Sequence, residues 1–470
     1  MFPIILLMIA VPIAAILLML ILERQNARRL SILSTAANMA IVLFVLATSI
    51  IAGTVSISEQ YQYINSIGVQ LGFRINAISL VLLVMSSVVL FVAALSGDPE
   101  KENSKTASIL MMLFQLAAVG LFTSSNLFMF FIFWDIGVIA LFLMINILGS
   151  ANRRTASVNF LIYEIFASSM LLLGILLIYF YTPLHSFNIT YIAANSSMVP
   201  TNIQLIIFII MFMAFIVNMP IFPMHFWLPD AHTEASTQGS MLLSGVLTKF
   251  GGFGMLLLFS MFTISSKYAI YIAALAGFSA FYSVLVLMKQ TDIKRIIAYS
   301  TIVEMSIILI GISAANSFGT TGAVFAMLSH GLTIALMFLL VGSIKHIFGE
   351  RNMLELKGTI VEAASTTYSF LIGVLAMVGF PLTAGFVADV LLFIGSVQHF
   401  GIFGIVPLFA IMLMGAFMYY MVSKSMLSTK KYSKPVDFIG PAQVTGYLIL
   451  LFFIFLVGVM PFLFLNLIKI

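Results

Sequence analysis

Apolar runs of about twenty residues recur along this chain, each long enough to cross the hydrocarbon of a bilayer as a helix. We place fourteen of them, near 3–22, 32–53, 75–96, 108–124, 126–148, 157–181, 204–226, 240–262, 268–288, 297–315, 319–344, 366–396, 402–423 and 443–466. Hydrocarbon offers no partner to a backbone amide, so runs of this kind fold as helices. The polar intervals between them are short. The segment 55–73 (TVSISEQYQYINSIGVQLG) alternates polar and apolar residues and predicts a small hairpin outside the membrane. The expected fold class is therefore an all-α integral membrane protein of about fourteen spans.

Composition agrees. With 62% hydrophobic and 8% charged residues over 470 positions, a soluble globular fold is excluded. There is no cysteine, so this chain can supply no thiolate to a metal or Fe–S cluster and no disulfide. No cofactor is expected in it. The net charge of +5 is no sign of a nucleic-acid partner, because the positive residues sit in short loops between spans. Of 21 Lys and Arg, seventeen fall on one side, in clusters at Arg24–Arg29, Lys101–Lys105, Arg153–Arg154, Lys289–Arg295, Lys345–Lys357 and Lys424–Lys434. Arg74, Lys267 and Lys469 fall on the other side, and Lys249 lies inside a span. The positive-inside rule then places the basic loops in the cytoplasm and both termini outside. The first span lacks a basic approach and a small-residue cleavage site, so it is expected to be retained.

Two spans are interrupted. The seventh carries Asn218-Met-Pro-Ile-Phe-Pro and the twelfth Gly379-Phe-Pro-Leu-Thr-Ala-Gly385. Proline removes a backbone donor and clashes with the preceding turn. Interrupted helices five spans apart are the trace of inverted repeats in a transporter. The expected organisation is an N-terminal three-span segment with the hairpin (1–107), a first inverted repeat (108–262, spans 4–8), a second (263–425, spans 9–13) and a C-terminal span (426–470).

Six ionisable residues fall within spans: Asp135, Glu164, Lys249, Glu304, His330 and Asp389. Placing a lysine in hydrocarbon costs roughly 2.5–3.5 kcal/mol even on insertion scales, and such residues usually mark ion pathways. For any one of them a structural ion pair is the plainer account. For all six it is not, because buried pairs seldom outperform apolar replacements. For Glu164 the alternative is a place near the end of its helix, partly wet. Two further stretches stand out. After the first break, His225, Trp227, Asp230, His232 and Glu234 form a polar connection. In KQTDIKRIIAYST (289–301), Asp292, Lys294 and Arg295 form a charged cluster able to admit protons.

HFWLPDAHTEASTQGSMLLSGVLTKFGGFG, KQTDIKRIIAYST and AMLSHGLTIALMFLL occur in that order. Together they resemble the antiporter-like membrane subunits shared by respiratory complex I, energy-converting membrane-bound hydrogenases and Mrp-type Na⁺/H⁺ antiporters. The resemblance covers spans 4 to 13 and implies fourteen helices, two inverted five-helix repeats and broken helices 7 and 12. It implies that Lys249 is the central lysine of the eighth span, that His330 continues the polar axis, and that Asp389 stands near the exit. It also places Asp135 at the fifth-span acid and Lys294 in the loop before the tenth span. Most members carry a lysine before the seventh-span proline, paired with the fifth-span acid. Here that position is Asn218, which cannot be charged, so Asp135 lacks its expected cation. Glu164 and Glu304 put carboxylates where the resemblance implies uncharged or histidine residues.

These readings imply an ion-translocating subunit, for H⁺ with Na⁺ as second candidate, in a redox-driven complex of a prokaryotic cytoplasmic membrane. This chain would be its non-redox part. Its partners would be other antiporter-like and small membrane subunits, with Fe–S clusters held by partners. The alternatives are a subunit of a Na⁺/H⁺ antiporter without redox chemistry, or a non-pumping scaffold. The last span ends at Ile470, which predicts an inner or middle position in the assembly.

Overall fold

The computed structural model describes residues 3–64, 69–97, 103–183, 185–262, 264–428 and 439–468. Lys101, Lys430, Lys431, Lys434, Lys469 and the hairpin tip at 65–68 lie outside them. The helices run α1 (Ile4–Ile21), α2 (Arg24–Ala52), α3 (Ala77–Leu95), α4 (Ser104–Thr123), α5 (Leu127–Leu148), α6 (Arg153–Tyr181), α7 (Ile189–Asn195), α8 (Thr201–Asn218), α9 (Trp227–Glu234) and α10 (Thr237–Leu242). They continue as α11 (Thr248–Met261), α12 (Ile264–Leu287), α13 (Ile293–Ser313), α14 (Ser317–Phe348), α15 (Ala364–Met377), α16 (Ala384–Phe400), α17 (Val406–Lys424), α18 (Pro441–Val459) and α19 (Phe462–Leu465). Among the described residues, 13 stretches are long and apolar enough to cross a membrane. One of them, Ala384–Lys424, divides at the turn Gly401–Ile405 into α16 and α17, which restores the expected fourteen.

The hairpin forms as β1 (Ile57–Ile64) and β2 (Val69–Ile75), antiparallel, with Glu59 opposite Phe73. It has a structural task. The Glu59 carboxylate accepts from Ile5 N at 2.8 Å and Leu6 N at 3.1 Å, capping α1, whose own preceding residue is a proline.

Burial places the centre of the bundle. The spanning windows of α13 and α14 are wholly buried, whereas those of α1, α6 and α18 are about one-third buried. The outer helices show large apolar side chains, such as Ile21, Ile51 and Tyr271, as a lipid-facing surface requires.

Both breaks are real, and the first is closed by a specific contact. Pro220 has no N–H for Ile216 O, so Ile221 N bonds that carbonyl instead (2.9 Å). Val217 O then accepts from Trp227 Nε1 at 3.0 Å. Here the expectation of a polar connection fails. Residues Trp227–Glu234 form α9, the second half of the broken helix, because Trp227 is 1% exposed and anchors it against Phe160, ring centroids 5.1 Å apart. His225 is also fully buried. The polar residues of α9 bind neighbouring segments. Asp230 pairs with Arg295 (3.2 Å), Glu234 accepts from Ser150 Oγ (2.5 Å) and Asn152 N (3.0 Å), and Thr233 O accepts from Arg351 (3.1 Å).

Replacing Trp227 by Phe keeps the ring but orphans the Val217 carbonyl. An unpaired buried acceptor costs about 1–3 kcal/mol. The expected outcome is a lower midpoint in thermal unfolding of the purified assembly.

Candidate ion pathway through the membrane interior

The candidate pathway is organised by α10, α11 and the π-helical turn Leu243–Leu247 between them. Such turns widen the backbone and recur at functional sites. The Ser244 carbonyl here serves two side chains, Thr248 Oγ1 (2.9 Å) and Lys249 Nζ. Lys249 also donates to Thr248 Oγ1 (3.3 Å) and lies 2.6 Å from His330 Nδ1 on α14. Three acceptors therefore meet the three protons of an ammonium. This arrangement places the proton of a neutral His330 on Nε2.

On one side of Lys249 the chain of contacts runs toward the basic face. Ser244 Oγ lies 2.7 Å from His232 Nε2 and accepts from Thr301 Oγ1 at 3.1 Å. His232, on α9, is fully buried and stacks on Phe338, with centroids 4.4 Å apart. Its Nδ1 has no hydrogen-bond partner. Beyond α9 an open cavity of about 380 Å³ is lined by Glu234, Ser236, Thr237, Lys294, Lys345 and Arg351, among others. On the other side of Lys249, His330 leads to a small cavity shared with Glu304 of α13 and Asp389 of α16.

The loop before α13 does not form the compact cluster expected from its sequence. Asp292 caps α13, accepting from Lys294 N at 2.8 Å, and pairs with Arg351 (3.2 Å). Arg295 turns to Asp230, and Lys294 Nζ donates to Ala235 O at 2.5 Å. The three charges fan out and tie α13 to α9. Lys294 is 7% exposed.

The first half of the bundle corrects a second expectation. Glu164 lies in the middle of α6 and is fully buried, not partly wet at a helix end. It, rather than Asp135, receives Asn218: Nδ2 lies 3.3 and 3.4 Å from its two oxygens. Asn218 Oδ1 accepts from Gly251 N at 2.9 Å, two residues beyond Lys249. The amide thus joins α6 to α11. Asp135 instead accepts from Ser168 Oγ at 2.5 Å. Of the eight residues singled out in the sequence, Lys249, His330, Glu304 and Asp389 gather in one group, Glu164 and Asn218 in another. Asp135 stands beside the second group, and Lys294 lies at the basic face. Sequence reasoning left Ser244, Thr248 and Thr301 unremarked. Their only signal was hydroxyls in otherwise apolar runs. His232 stood out by type but not by role.

The family described as NADH:quinone oxidoreductase/Mrp antiporter, TM, matches residues 124–415, which hold both groups. This chain belongs to that family. NADH-quinone oxidoreductase subunit M of Rickettsia felis (strain ATCC VR-1525 / URRWXCal2) is 34% identical over 340 residues, covering 72% of this chain and 69% of that protein. A chain of respiratory complex I from Thermus thermophilus has the same fold at TM-score 0.89 and 21% identity, covering 99% of this chain and 98% of that one. A chain of the Mrp complex from Dietzia sp. DQ12-45-1b matches at TM-score 0.89 and 20% identity, covering 99% and 96%. The antiporter-like fold is common to both, so backbone shape does not separate a redox-driven subunit from a secondary antiporter.

The Asn218 contact depends on close approach of α8 to α11. A Cβ on Gly251 would lie 2.9 Å from Phe215 O and 3.0 Å from Met219 N, both backbone atoms. Gly251→Ala should therefore destabilise the chain by about 1–3 kcal/mol, seen as a lower yield of intact assembly in detergent.

Proposed function

We propose that this chain is a proton-translocating subunit of a redox-driven membrane complex, with electron transfer confined to partner subunits. The observation that carries the reading is the unbroken sequence of buried polar groups from His232 through Ser244 and Lys249 to His330 and the Glu304–Asp389 cavity. Sequence kinship favours the redox-driven setting over a Na⁺/H⁺ antiporter, because the 34% identical relative is a quinone oxidoreductase subunit. Fe–S clusters in partners and flanking antiporter-like and small membrane subunits follow from that setting. So does a prokaryotic cytoplasmic membrane, with the basic loops in the cytoplasm and both termini outside. Two inverted repeats, spans 4–8 and 9–13, fit the two broken helices α8–α9 and α15–α16.

In this reading protons enter from the basic cavity past Lys294 and Glu234. Neutral His232 and the Ser244 hydroxyl each carry a proton to give and a lone pair to receive one, so they can pass a proton without holding net charge. Lys249 stores the charge. Charge on Lys249 is compensated by Glu304 on α13, not by a seventh-span cation and fifth-span acid pair, because Asn218 and Glu164 make a neutral amide–carboxyl contact instead. The Asn218–Glu164 contact then acts as a positioning element for α11.

Lys249→Ala in the intact assembly, reconstituted in vesicles, should abolish the share of proton pumping carried by this subunit while electron transfer persists. Unchanged proton-to-electron stoichiometry would leave the chain a scaffold. Asn218→Lys brings a cation to Glu164, and the expected outcome is slower pumping, since α11 loses its Gly251 anchor. A faster rate would mean that the missing lysine limits transport.

A further inference from the structure

Where α13, α14 and the break between α15 and α16 meet, a cavity of about 10 Å³ is lined by Glu304, Ser329, His330, Thr333 and Asp389. That is room for a single water. His330 Nε2 and Thr333 Oγ1, on side chains 5% and 2% exposed, line it without any hydrogen-bond partner. Buried polar atoms are rarely left so, and a trapped water is the usual remedy. The break makes the space. Gly379, at φ +66°, leaves its Cβ position free, and Asp389 Oδ2 fills it.

The charges around this cavity do not balance in pairs. Lys249 on α11 brings one ammonium beside His330, while Glu304 on α13 and Asp389 on α16 bring two carboxyls to the same cavity. His330 on α14 is neutral, as is His232 beyond it. The wall from α15 is Ala376 and Met377, and α17 has no ionisable side chain before Tyr419. Two ionised carboxylates beside one ammonium would leave a net negative charge in a low-dielectric interior. One monovalent cation restores neutrality. Bare Na⁺ would face the N–H of His330, whereas a water accepts from it.

We propose that Glu304 and Asp389 hold one proton between them through a single water in this cavity. Transfer breaks the O–H of one carboxyl as the water takes that proton, and the water gives one of its own to the other carboxyl, so atoms and charge are conserved. The site deepens the proton-transport reading and rests on it for its purpose. Its test reads a bound proton rather than pumping, so either can fail without the other.

The test is infrared spectroscopy of the purified assembly at neutral pH in Na⁺-free buffer, in the C=O stretch of protonated carboxyls. Relative to the native protein, Glu304→Gln and Asp389→Asn should each lack one carboxylic acid, because the remaining carboxyl ionises against Lys249. Lys249→Met should gain one, since both carboxyls then stay neutral. Native spectra should be unchanged by added Na⁺. Unaltered carboxylic acid content in either single variant would overturn the proposal. So would native protein that loses the band on adding Na⁺ and binds radioactive ²²Na⁺ that Asp389→Asn does not. The response of the native carboxyl band to added Na⁺ needs no variant, so it remains decisive if a substitution impairs assembly.

Discussion

The structure depends on one ammonium group held in a dry interior. Lys249 is fully buried, and an unmet cation there would remove a large share of a domain's net stability. Its three protons find Ser244 O, Thr248 Oγ1 and His330 Nδ1. Each acceptor makes its own demand on the fold. Ser244 O is available because α10 and α11 are joined by a π-helical turn, and His330 requires α14 to pack against that turn. The most buried helices of the bundle surround this point.

The two broken helices serve the same end in different ways. In α8–α9 the break frees carbonyls, and Trp227 re-pairs one of them, so that α9 can carry His232 to Ser244 and bind Arg295, Arg351 and Lys294. In α15–α16 the break opens space, and Asp389 folds into it beside Glu304. The first break builds contacts toward the basic face, while the second builds a cavity.

Charge is distributed unequally between the two groups. The group around Lys249 contains an ammonium, a histidine and two carboxyls. The group around Asn218 has Glu164 held by an uncharged amide, with Asp135 on a serine hydroxyl nearby. Asn218 does not act as a weakened lysine. It is a two-sided hydrogen-bonding bracket whose oxygen reaches the Gly251 N–H near Lys249. A lysine at that position has no acceptor and could not take that bond.

Much of this was legible in the sequence. The span count and both breaks followed from apolar length and proline chemistry, which act locally. Lys249, Glu304, His330 and Asp389 were visible because a charge in an apolar run is conspicuous whatever surrounds it, and family membership followed from three ordered motifs. What the chain could not reveal alone was partnership. Glu164 and Asn218 are 54 residues apart, and Lys249 and His330 81 apart. Which of them meet depends on helix rotation and crossing, set by packing across the bundle. The expected partner of Asn218 was Asp135, one helix away from the residue it bonds. The π-helical turn, the helical form of α9 and the water-sized cavity likewise arise from tertiary fit. Sequence determined which groups must be buried, and only the packed structure decided what each is buried against.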